Sequence, residues 1–171
     1  MPKLIKDKQL VADNWALIDT DASIETVLAM SASQLLLPAY FWAENKAALS
    51  SLGAEIAIWF DSSQNPALFQ ETTRESFEQF PLIALEFPIF KDGRAFSYAA
   101  LLRKQFNYQG ELRAIGEVLR DQLTYMLRCG FTSFLIADDA EEEVYLNGFN
   151  DFSEHYQSTV INPVPLFRRR V

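Results

Sequence analysis

The sequence predicts an α/β fold: a mainly parallel sheet of about five strands with alternating helices, and a small N-terminal β-hairpin. Three observations lead to this prediction. Short apolar runs recur along the chain of 171 residues, segments with helical spacing separate them, and two short apolar segments flank a polar pair near the N-terminus. Apolar runs of this length are typical of strands buried on both faces. The pattern leaves open a partial barrel or an open three-layer sheet.

Five apolar runs are the predicted strands. They are Val27–Met30, Ile56–Phe60, Leu82–Phe87, the weaker Leu112–Ile115, and Ser133–Ala137. Successive runs begin between 21 and 30 residues apart. That spacing accommodates one strand and one crossover helix, which is the connection that parallel strands require.

The segments between the runs have helical composition and apolar residues at helical spacing. Ser97 is the expected N-cap of one of these helices, and Gly130 stands at the C′ position of another. The predicted helices are Ala39–Leu52, Pro66–Gln79, Phe96–Asn107, Val118–Cys129 and Glu141–Tyr156.

We expect a single domain over residues 1–171. Within residues 1–20, Leu4-Ile5-Lys6 and Gln9-Leu10-Val11 flank Asp7-Lys8, a pattern that predicts a hairpin or an edge flap. Residues 162–171 contain two prolines and end in three arginines before Val171, which predicts a mobile tail.

Composition excludes several classes of protein. The formal net charge of −8 argues against a nucleic-acid binder, which needs a basic face to neutralise phosphates. No apolar run reaches the roughly 18 residues of a membrane span. The first ten residues lack the apolar segment and cleavage site of a signal peptide. We therefore expect a soluble cytoplasmic protein, with no membrane partner and no nucleic-acid partner, from a bacterium-like cell.

The sequence predicts no cofactor and no metal site. Cys129 is the single cysteine and His155 the single histidine, which excludes an internal disulfide, a cysteine-ligated iron–sulfur cluster and a multi-histidine zinc or haem site. The chain also lacks a dinucleotide fingerprint and a P-loop. Both residues are interpreted as packing or surface residues rather than catalytic ones.

The first candidate site follows the run Leu82–Phe87. Ligands of parallel α/β sheets bind at the carboxyl ends of strands. The loop that leaves this strand places Glu86, Asp92, Arg94 and the following Ser97 at such an end. Asp-Gly-Arg is also ordinary turn chemistry, so a turn without a site is the alternative.

Two further groups of residues are candidates. Glu111 and Arg113 are two residues apart in a predicted strand, so they share a face and should form an ion pair. In a barrel-like fold that face would line the interior, where the pair could bind a ligand. Asp121, Tyr125 and Arg128 share one face of the next predicted helix, and Gln122 flanks it.

The stretch from Glu86 to Phe134 resembles the bacterial family known as domain of unknown function 934. The composite pattern begins with FP-x-F-x-DGR, continues through an LR pair, and ends in GELRA-x-G and R-x-GF. The matching residues are Phe87, Pro88, Phe90, Asp92, Gly93, Arg94, Ser97, Leu102, Arg103, Gly110, Glu111, Arg113, Ala114, Gly116, Val118, Asp121, Gln122, Met126, Arg128, Gly130 and Phe131. The resemblance makes Arg103 a further candidate site residue.

The resemblance implies a role rather than a reaction. The family carries the label "oxidoreductase probably involved in sulfite reduction", and its members are typically encoded beside the sulfite reductase haemoprotein. It implies an accessory or regulatory factor of assimilatory sulfite reduction, with that haemoprotein as a partner. The alternatives are an enzyme that binds an anionic small molecule with Arg94, Arg113 and Glu86, or a structural oligomeric module. Whether the protein is an enzyme stays open.

Aromatic residues outside the predicted strands predict an interface. Tyr40, Phe41 and Trp42 are consecutive, and successive helical side chains turn by about 100°, so they cannot all face one core. Phe149 and Phe152 lie near Tyr156 in the last predicted helix. Large exposed apolar patches usually mark interfaces, so we expect a homodimer or a bound partner subunit.

Overall fold

A computed structural model describes residues 2–151 and 154–169. Its strands are β1 (Lys3–Lys6), β2 (Gln9–Val11), β3 (Ala16–Leu17), β4 (Gln34–Pro38), β5 (Glu55–Phe60), β6 (Leu82–Phe87), β7 (Glu111–Gly116) and β8 (Ser133–Ile136). Its α-helices are α1 (Ile24–Leu28), α2 (Ala39–Leu49), α3 (Pro66–Thr73), α4 (Arg94–Lys104), α5 (Leu123–Cys129), α6 (Glu142–Gly148) and α7 (Leu166–Arg169). Two 3-10 turns cover Phe77–Gln79 and Arg120–Gln122.

Within the described residues the strands form one sheet in the order β2-β1-β8-β7-β6-β5-β4-β3. Strands β3 to β8 are parallel and lie side by side in chain order, whereas β1 pairs antiparallel with β8. The mixed α/β class and the mostly parallel sheet are confirmed. The sheet has eight strands rather than about five, because the hairpin extends one edge and two strands near the N-terminus extend the other.

The sheet curls into a half-barrel. Its two edge strands, β2 and β3, are joined by residues 12–15, which we call the strap. Five residue steps from Val11 to Ala16 span at most about 18 Å, whereas a flat eight-stranded sheet would hold its edges about 34 Å apart. The connection is possible only because the sheet bends and brings its edges together.

Each face of the sheet has its own core. Crossovers between parallel strands are right-handed, so strands in chain order receive all their helices on one face. That outer face carries the larger cluster, in which Leu35, Leu37 and Phe60 pack against helical residues such as Trp42 and Met126. On the inner face a smaller cluster contains Leu36, Ala57, Trp59, Leu82, Ala84 and Ile115, with Trp15 of the strap packed against it.

The predicted hairpin is confirmed. Asp7 and Lys8 have positive φ values of 52° and 59°, the conformation of a type I′ turn, which matches the right-handed twist of the two strands. Leu4, Ile5 and Lys6 pair with Val11, Leu10 and Gln9. The hairpin is an integral edge of the sheet.

The prediction of a strand at Val27–Met30 is wrong. Val27 lies in α1, where the Ser23 hydroxyl accepts a hydrogen bond from the Thr26 N–H at 3.2 Å and caps the helix. The run is apolar because one side of this short helix enters the main core, with Val27 completely buried. The strand in this part of the chain is β4, which begins at Gln34, seven residues after Val27.

Several predicted helices are shorter in the structure. The segment Pro66–Gln79 breaks at Arg74, whose φ of 58° ends α3, and Ser76 then caps a 3-10 turn. The segment Val118–Cys129 begins with a 3-10 turn, and Gly130 ends α5 with the expected positive φ of 109°. Two other predicted helices extend too far at their carboxyl ends. The helix predicted to end at Leu52 is α2, which ends at Leu49, and the helix predicted to end at Tyr156 is α6, which ends at Gly148.

Ser97 does not cap α4, which begins three residues earlier. The Asp92 carboxylate accepts the Arg94 N–H at 3.2 Å and takes the capping role, with Gly93 as the N-cap residue. Ser97 is an exposed residue within the helix.

The three consecutive aromatic residues of α2 all pack within the chain. Trp42 is buried edge-on against Phe80, Tyr40 meets Phe69 edge-on, and Phe41 is half-buried against the main core. Phe149 packs on Phe134, while Phe152 lies outside the described residues. The helix is flanked by both the sheet and α3, so these residues do not require a partner, and the homodimer stays a prediction.

In the described part of the C-terminal segment, the Val160 N–H donates to the Arg128 carbonyl at 3.0 Å, and α7 follows. The mobility of residues 162–171 stays a prediction. No helix in the described part of the chain has the length and apolar character that a membrane span needs.

Candidate functional site

The predicted site residues separate into two clusters at opposite ends of the sheet. One cluster, the carboxyl-end site, follows β5 and β6 and contains Asp61, Ser62, Glu86, Asp92, Arg94 and Tyr98. The other, the amino-end network, contains Lys6, Asp13, Glu111, Arg113 and Ser133. Glu86, Asp92 and Arg94 therefore do not converge with Glu111 and Arg113.

Asp92 and Arg94 form the frame of the carboxyl-end site. Two nitrogens of the Arg94 guanidinium donate to the Asp92 carboxylate, Nε at 3.0 Å and Nη2 at 2.6 Å. Nη2 also donates to the Ser62 hydroxyl at 2.9 Å. The hydrogen bonds that the Asp92 carboxylate accepts, first from Arg94 and then from the Ser62 side chain, hold the pKa of Asp92 well below its usual range. Asp-Gly-Arg is therefore both the start of α4 and a charged frame.

Ser62 joins two loops at this end of the sheet. Ser62 is the second residue after β5, and its side chain is buried. Its hydroxyl accepts a hydrogen bond from Arg94, and its backbone carbonyl accepts one from the Tyr98 hydroxyl at 3.3 Å. The loop after β5 is thereby tied to the first turns of α4. This leaves the Arg94 side chain 54% exposed but fixed in direction.

Glu86 is the unpaired carboxyl group of the site. It lies on the inner face near the end of β6, half-buried, and no hydrogen bond or ion pair reaches its side chain from the described residues. Burial first, and then the charge of Asp61, raise the pKa of Glu86 above its ordinary value. A half-buried carboxyl with a raised pKa at a strand end is suited to proton transfer.

Gly116 allows β7 to lie close to Glu86. It has a φ of +83°, and a Cβ there would come within 2.5 Å of the Phe87 carbonyl oxygen and 3.2 Å of Glu86 Cγ. Any side chain at this position would displace the end of β6. The glycine that closes β7 is therefore required by the neighbouring strand.

The loop after β6 presents two apolar side chains to solvent. Ile89 is 57% exposed and Phe90 is 55% exposed. The loop is closed by the Asp92 N–H, which donates to the Ile89 carbonyl at 3.0 Å. Phe87 at its start is buried and packs edge-on against Phe96. A loop closed by a backbone hydrogen bond thus carries an exposed apolar tip.

The amino-end network surrounds Arg113, whose side chain is 2% exposed. Its Nη1 donates to both Asp13 carboxylate oxygens at 2.9 and 3.0 Å, and its Nε and Nη2 donate to Glu111 Oε1 at 3.1 and 2.8 Å. Glu111 also accepts from Ser133 at 2.7 Å and from Lys6 at 2.6 Å. Burial raises the pKa of Glu111, but the hydrogen bonds from Lys6 and Ser133 and the charge of Arg113 outweigh it and leave that pKa lowered.

This network joins the strap to the sheet. A cavity of about 270 Å³ lies beside it, lined by Asn14, Trp15, Gln34 and the charged groups of the network. Each nitrogen of the Arg113 guanidinium donates to a carboxylate of the protein itself. The arrangement satisfies buried charges within the chain, so the structural ion pair describes Glu111 and Arg113 better than a ligand site does.

Arg103 has a structural role. Its Nε donates to the Gly130 carbonyl at 2.9 Å, and its Nη1 donates to the carbonyls of Tyr108 and Gly110 at 2.6 and 2.9 Å. Burial lowers the pKa of Arg103. The side chain connects the end of α5 to the loop before β7, away from the carboxyl-end site.

The other candidates lie after β7. Asp121 and Gln122 are in the 3-10 turn, and Tyr125 and Arg128 follow in α5. Tyr125 is 50% exposed, its ring meets Phe96 edge-on at 4.9 Å, and the Arg128 guanidinium lies 5.6 Å from the ring centre. Tyr125 thereby connects α5 to the start of α4.

Six residues of the two clusters were not predicted from the sequence: Lys6, Asp13, Asp61, Ser62, Tyr98 and Ser133. Asp61 and Ser62 directly follow the run Ile56–Phe60, so the strand-end argument that selected Asp92 could have found them. Asp13 has no local signal, because its partner Arg113 is 100 residues away in the chain.

Neither the single cysteine nor a metal centre adds chemistry to these clusters. Cys129 is buried at the end of α5, and burial raises the pKa of its thiol. Among residues 2–151 and 154–169, no group of three or more histidine, cysteine, aspartate or glutamate side chains is arranged to hold a metal ion.

Comparison with known proteins places the chain in a family. No curated protein and no solved structure matches it. Residues 57–167 match the model of a family described as "Bacterial protein of unknown function (DUF934)". The match covers more than half of the chain and includes the whole carboxyl-end site from Asp61 to Tyr98. The chain therefore belongs to the DUF934 family.

Proposed function

We propose that the protein is an accessory or regulatory factor of assimilatory sulfite reduction and that it acts by binding a partner protein at the carboxyl-end site. Membership of the DUF934 family supports this through the role that the resemblance implies, with the sulfite reductase haemoprotein as the partner. Such a role places the protein in the cytoplasm.

One observation carries the choice of a binding role: the exposed tip formed by Ile89 and Phe90 on a loop that is fixed at both ends. Exposed apolar side chains in a rigid loop lose little conformational entropy when they are buried by a partner. Aromatic and aliphatic anchors of this kind supply much of the affinity in protein interfaces. The Asp92–Arg94–Ser62 frame keeps the tip in one orientation.

Growth on different sulfur sources tests the proposed pathway. A strain lacking the protein should grow normally on cysteine and poorly on sulfate. The wild-type gene should restore growth on sulfate, and the double variant Ile89→Ser/Phe90→Ser should not. The matched control is Leu68→Ser, which removes an apolar side chain that is 56% exposed on α3. Normal growth of the deletion strain on sulfate would refute the proposal.

Binding to the purified haemoprotein tests the mechanism. The wild-type protein and Leu68→Ser should be retained on immobilised sulfite reductase haemoprotein, and the Ile89→Ser/Phe90→Ser variant should not. Light scattering on the protein alone tests the homodimer, for which the exposed edge residues Val11 and Leu17 offer uncovered strand edges. A strictly monomeric mass at micromolar concentration would reject the dimer and leave the partner proposal intact.

The accessory role includes the absence of a resident redox cofactor. We propose that freshly purified protein is colourless, since the chain lacks a dinucleotide fingerprint and the cysteines of an iron–sulfur cluster. A visible absorption band in that preparation would contradict this.

A second function is favoured by Glu86. Its half-buried carboxyl group, with a raised pKa and no partner among the described residues, suits an enzyme that transfers a proton at the carboxyl-end site. Arg113 lies at the other end of the sheet, so Arg94 would be the cation that orients a substrate. If Glu86→Gln abolishes growth on sulfate while binding to the haemoprotein persists, the enzymatic function is supported over the accessory one.

A further inference from the structure

Charge is distributed unequally between the two ends of the sheet. Four of the connections that lead from a helix into a strand, residues 29–33, 50–54, 105–110 and 130–132, contain no charged residue. The connections from β5 to β8 into the following helices, taken with Glu86 near the end of β6, Arg94 at the start of α4 and the first turn of α6, carry ten acidic residues against three basic ones. The acids are Asp61, Glu86, Asp92, Glu117, Asp121, Asp138, Asp139, Glu141, Glu142 and Glu143, and the bases are Lys91, Arg94 and Arg120.

We call this set of residues the carboxyl-end rim. Its ten acids and three bases leave a formal charge of −7, compared with −8 for the whole chain. Acidic residues near a helix N-terminus stabilise the helix because they interact favourably with the positive end of its dipole. This accounts for Glu142 and Glu143 in the first turn of α6. Asp61, Glu86 and Glu117 lie at strand ends outside any helix, so helix capping does not account for them.

The apolar tip lies within this rim. Ile89 and Phe90 extend from the β6–α4 loop, between the acids that follow β5 and those that follow β7. Tyr125 adds an exposed ring on α5, and its contact with Phe96 places it beside the start of α4. The exposed apolar side chains therefore lie among residues that are mainly acidic, with Lys91 and Arg94 as the bases of the same loop and helix start.

We propose that the carboxyl-end rim docks a basic protein surface, in which lysine and arginine side chains surround an apolar recess that receives Ile89 and Phe90. The inference rests on the proposed function for its site and adds the chemistry of the partner. Complementary charge selects the partner and speeds the encounter, while buried apolar anchors hold the complex.

The same charge distribution excludes other occupants. Lys3 of β1 pairs with Glu142 at 3.2 Å, but acidic residues still outnumber basic ones in the rim, which opposes the approach of a small anion or an acidic protein. A purely apolar partner would leave the acids around Ile89 and Phe90 unpaired and desolvated, at a cost. A basic rim around an apolar recess avoids both penalties.

The first experiment maps the surface with a defined probe. An amphipathic peptide of alternating lysine and leucine is titrated into isotope-labelled protein, and amide shifts are followed by NMR. Shifts should concentrate in residues 88–93, 117–122 and 137–143. A peptide of alternating glutamate and leucine is the control and should cause none there. Shifts spread evenly over the surface, or centred on the uncharged connections, would overturn the proposal.

The second experiment uses the sulfite reductase haemoprotein and a charge reversal. Glu117→Lys/Asp139→Lys should weaken binding about tenfold or more at low salt, because it reverses two exposed charges of the rim. The control Glu71→Lys/Glu78→Lys changes the net charge equally on exposed residues outside the rim and should have less than about a threefold effect. Binding by the wild type should weaken as the salt concentration rises.

The two experiments separate the proposals. A peptide that maps to the rim, with no binding of the haemoprotein, would refute the proposed function and support the basic partner surface. Binding of the haemoprotein that is equally affected by both charge reversals, or that is independent of salt, would overturn the inference and leave the function in place. Circular dichroism confirms that each variant is folded.

Discussion

Arg113 shows how a single residue can be essential to a fold without being a binding residue. It is the one buried charged side chain in the described part of the chain, and its four hydrogen bonds go to Asp13 and Glu111. Removing one member of such a buried set leaves the others as uncompensated charges. The network therefore stabilises the folded protein only when all of its charged members are present.

Replacing Arg113 should destabilise the protein severely. Arg113→Met keeps most of the volume but leaves the Asp13 carboxylate without its cation and Glu111 with Lys6 alone, and we expect a loss of about 3–5 kcal/mol. Urea unfolding measures the change. The control Arg94→Met removes a guanidinium whose side chain is 54% exposed and should cost far less. Equal losses for the two variants would show that burial does not govern these ion pairs.

Glu86 should make the free energy of unfolding depend on pH. Burial and Asp61 raise its pKa in the folded state, so the folded protein disfavours the charged form. The resulting loss of folding free energy is absent when the pH is below 4.5, the ordinary pKa of a glutamate. The loss grows as the pH rises from there through the pKa of Glu86 in the folded state, and it is complete above that pKa.

Glu86→Gln should therefore be more stable than the wild type at pH 7 and lose that advantage below pH 4.5. Denaturant unfolding at several pH values measures the difference. The exposed control Glu71→Gln should match the wild type throughout. A Glu86→Gln protein that is less stable at pH 7 would show that the carboxylate has a stabilising partner.

At the scale of the element, the strand ends set the geometry of the site. Asp-Gly-Arg follows β6 and starts α4, so its turn chemistry and its ion pair have one origin. Glu111 and Arg113 share a face because side chains two apart in a strand point the same way. Both pairings could be predicted from the sequence since they depend on neighbours within two residues.

The glycine that ends β7 should not tolerate a side chain. Gly116→Ala places a Cβ within 2.5 Å of the Phe87 carbonyl and also requires a left-handed conformation, so we expect a loss of about 2–5 kcal/mol. Gly53 has a φ of +63° with nothing within 4 Å of an added Cβ, and Gly53→Ala should cost about 1–2 kcal/mol. Thermal unfolding compares them, and equal costs would indicate that the contact with β6 is unimportant.

The choice between Val27–Met30 and β4 as a strand shows where sequence patterns fail. Both segments are short and apolar, and periodicity cannot separate a buried helical turn from a buried strand of four or five residues. The decision depends on what each segment contacts. Gln34–Pro38 pairs with both β3 and β5, whereas Val27 packs into the larger core on the outer, helix-covered face of the sheet.

At the scale of the whole molecule, the strap connects the two edges of the curled sheet. Asp13 is held by Arg113, and Trp15 packs on the inner cluster of Leu36, Ala57 and Trp59. Trp59 adds a hydrogen bond from its Nε1 to the Ile18 carbonyl at 3.0 Å. The curl of the sheet therefore depends on a few contacts of the strap and its neighbours.

Removing the strap's aromatic contact should loosen the edges before the centre. Trp15→Ala should lower stability by about 2 kcal/mol or more, and hydrogen exchange should quicken in β2 and β3 while β6 stays protected. Leu17→Ala, at a residue 43% exposed in β3, is the control and should change little. A uniform loss of protection would mean that the strap belongs to the central folding unit.

The sequence alone determined the α/β class, the β-hairpin, four of the parallel strands and the position of Asp92 and Arg94 after a strand end. These features can be recognised because continuous apolar runs alternate with helical segments, because turn residues mark the hairpin, and because the residues concerned are close neighbours in the chain.

Only the tertiary structure decided the eight-stranded curl, the separation of the predicted site residues into two ends, and the partners of Arg113. The physical reason is chain closure. Residues 12–15 can join opposite edges only if the sheet bends, and that bend brings Asp13 to a strand 100 residues away. Contacts of this range depend on the whole fold, and no local pattern in the sequence encodes them.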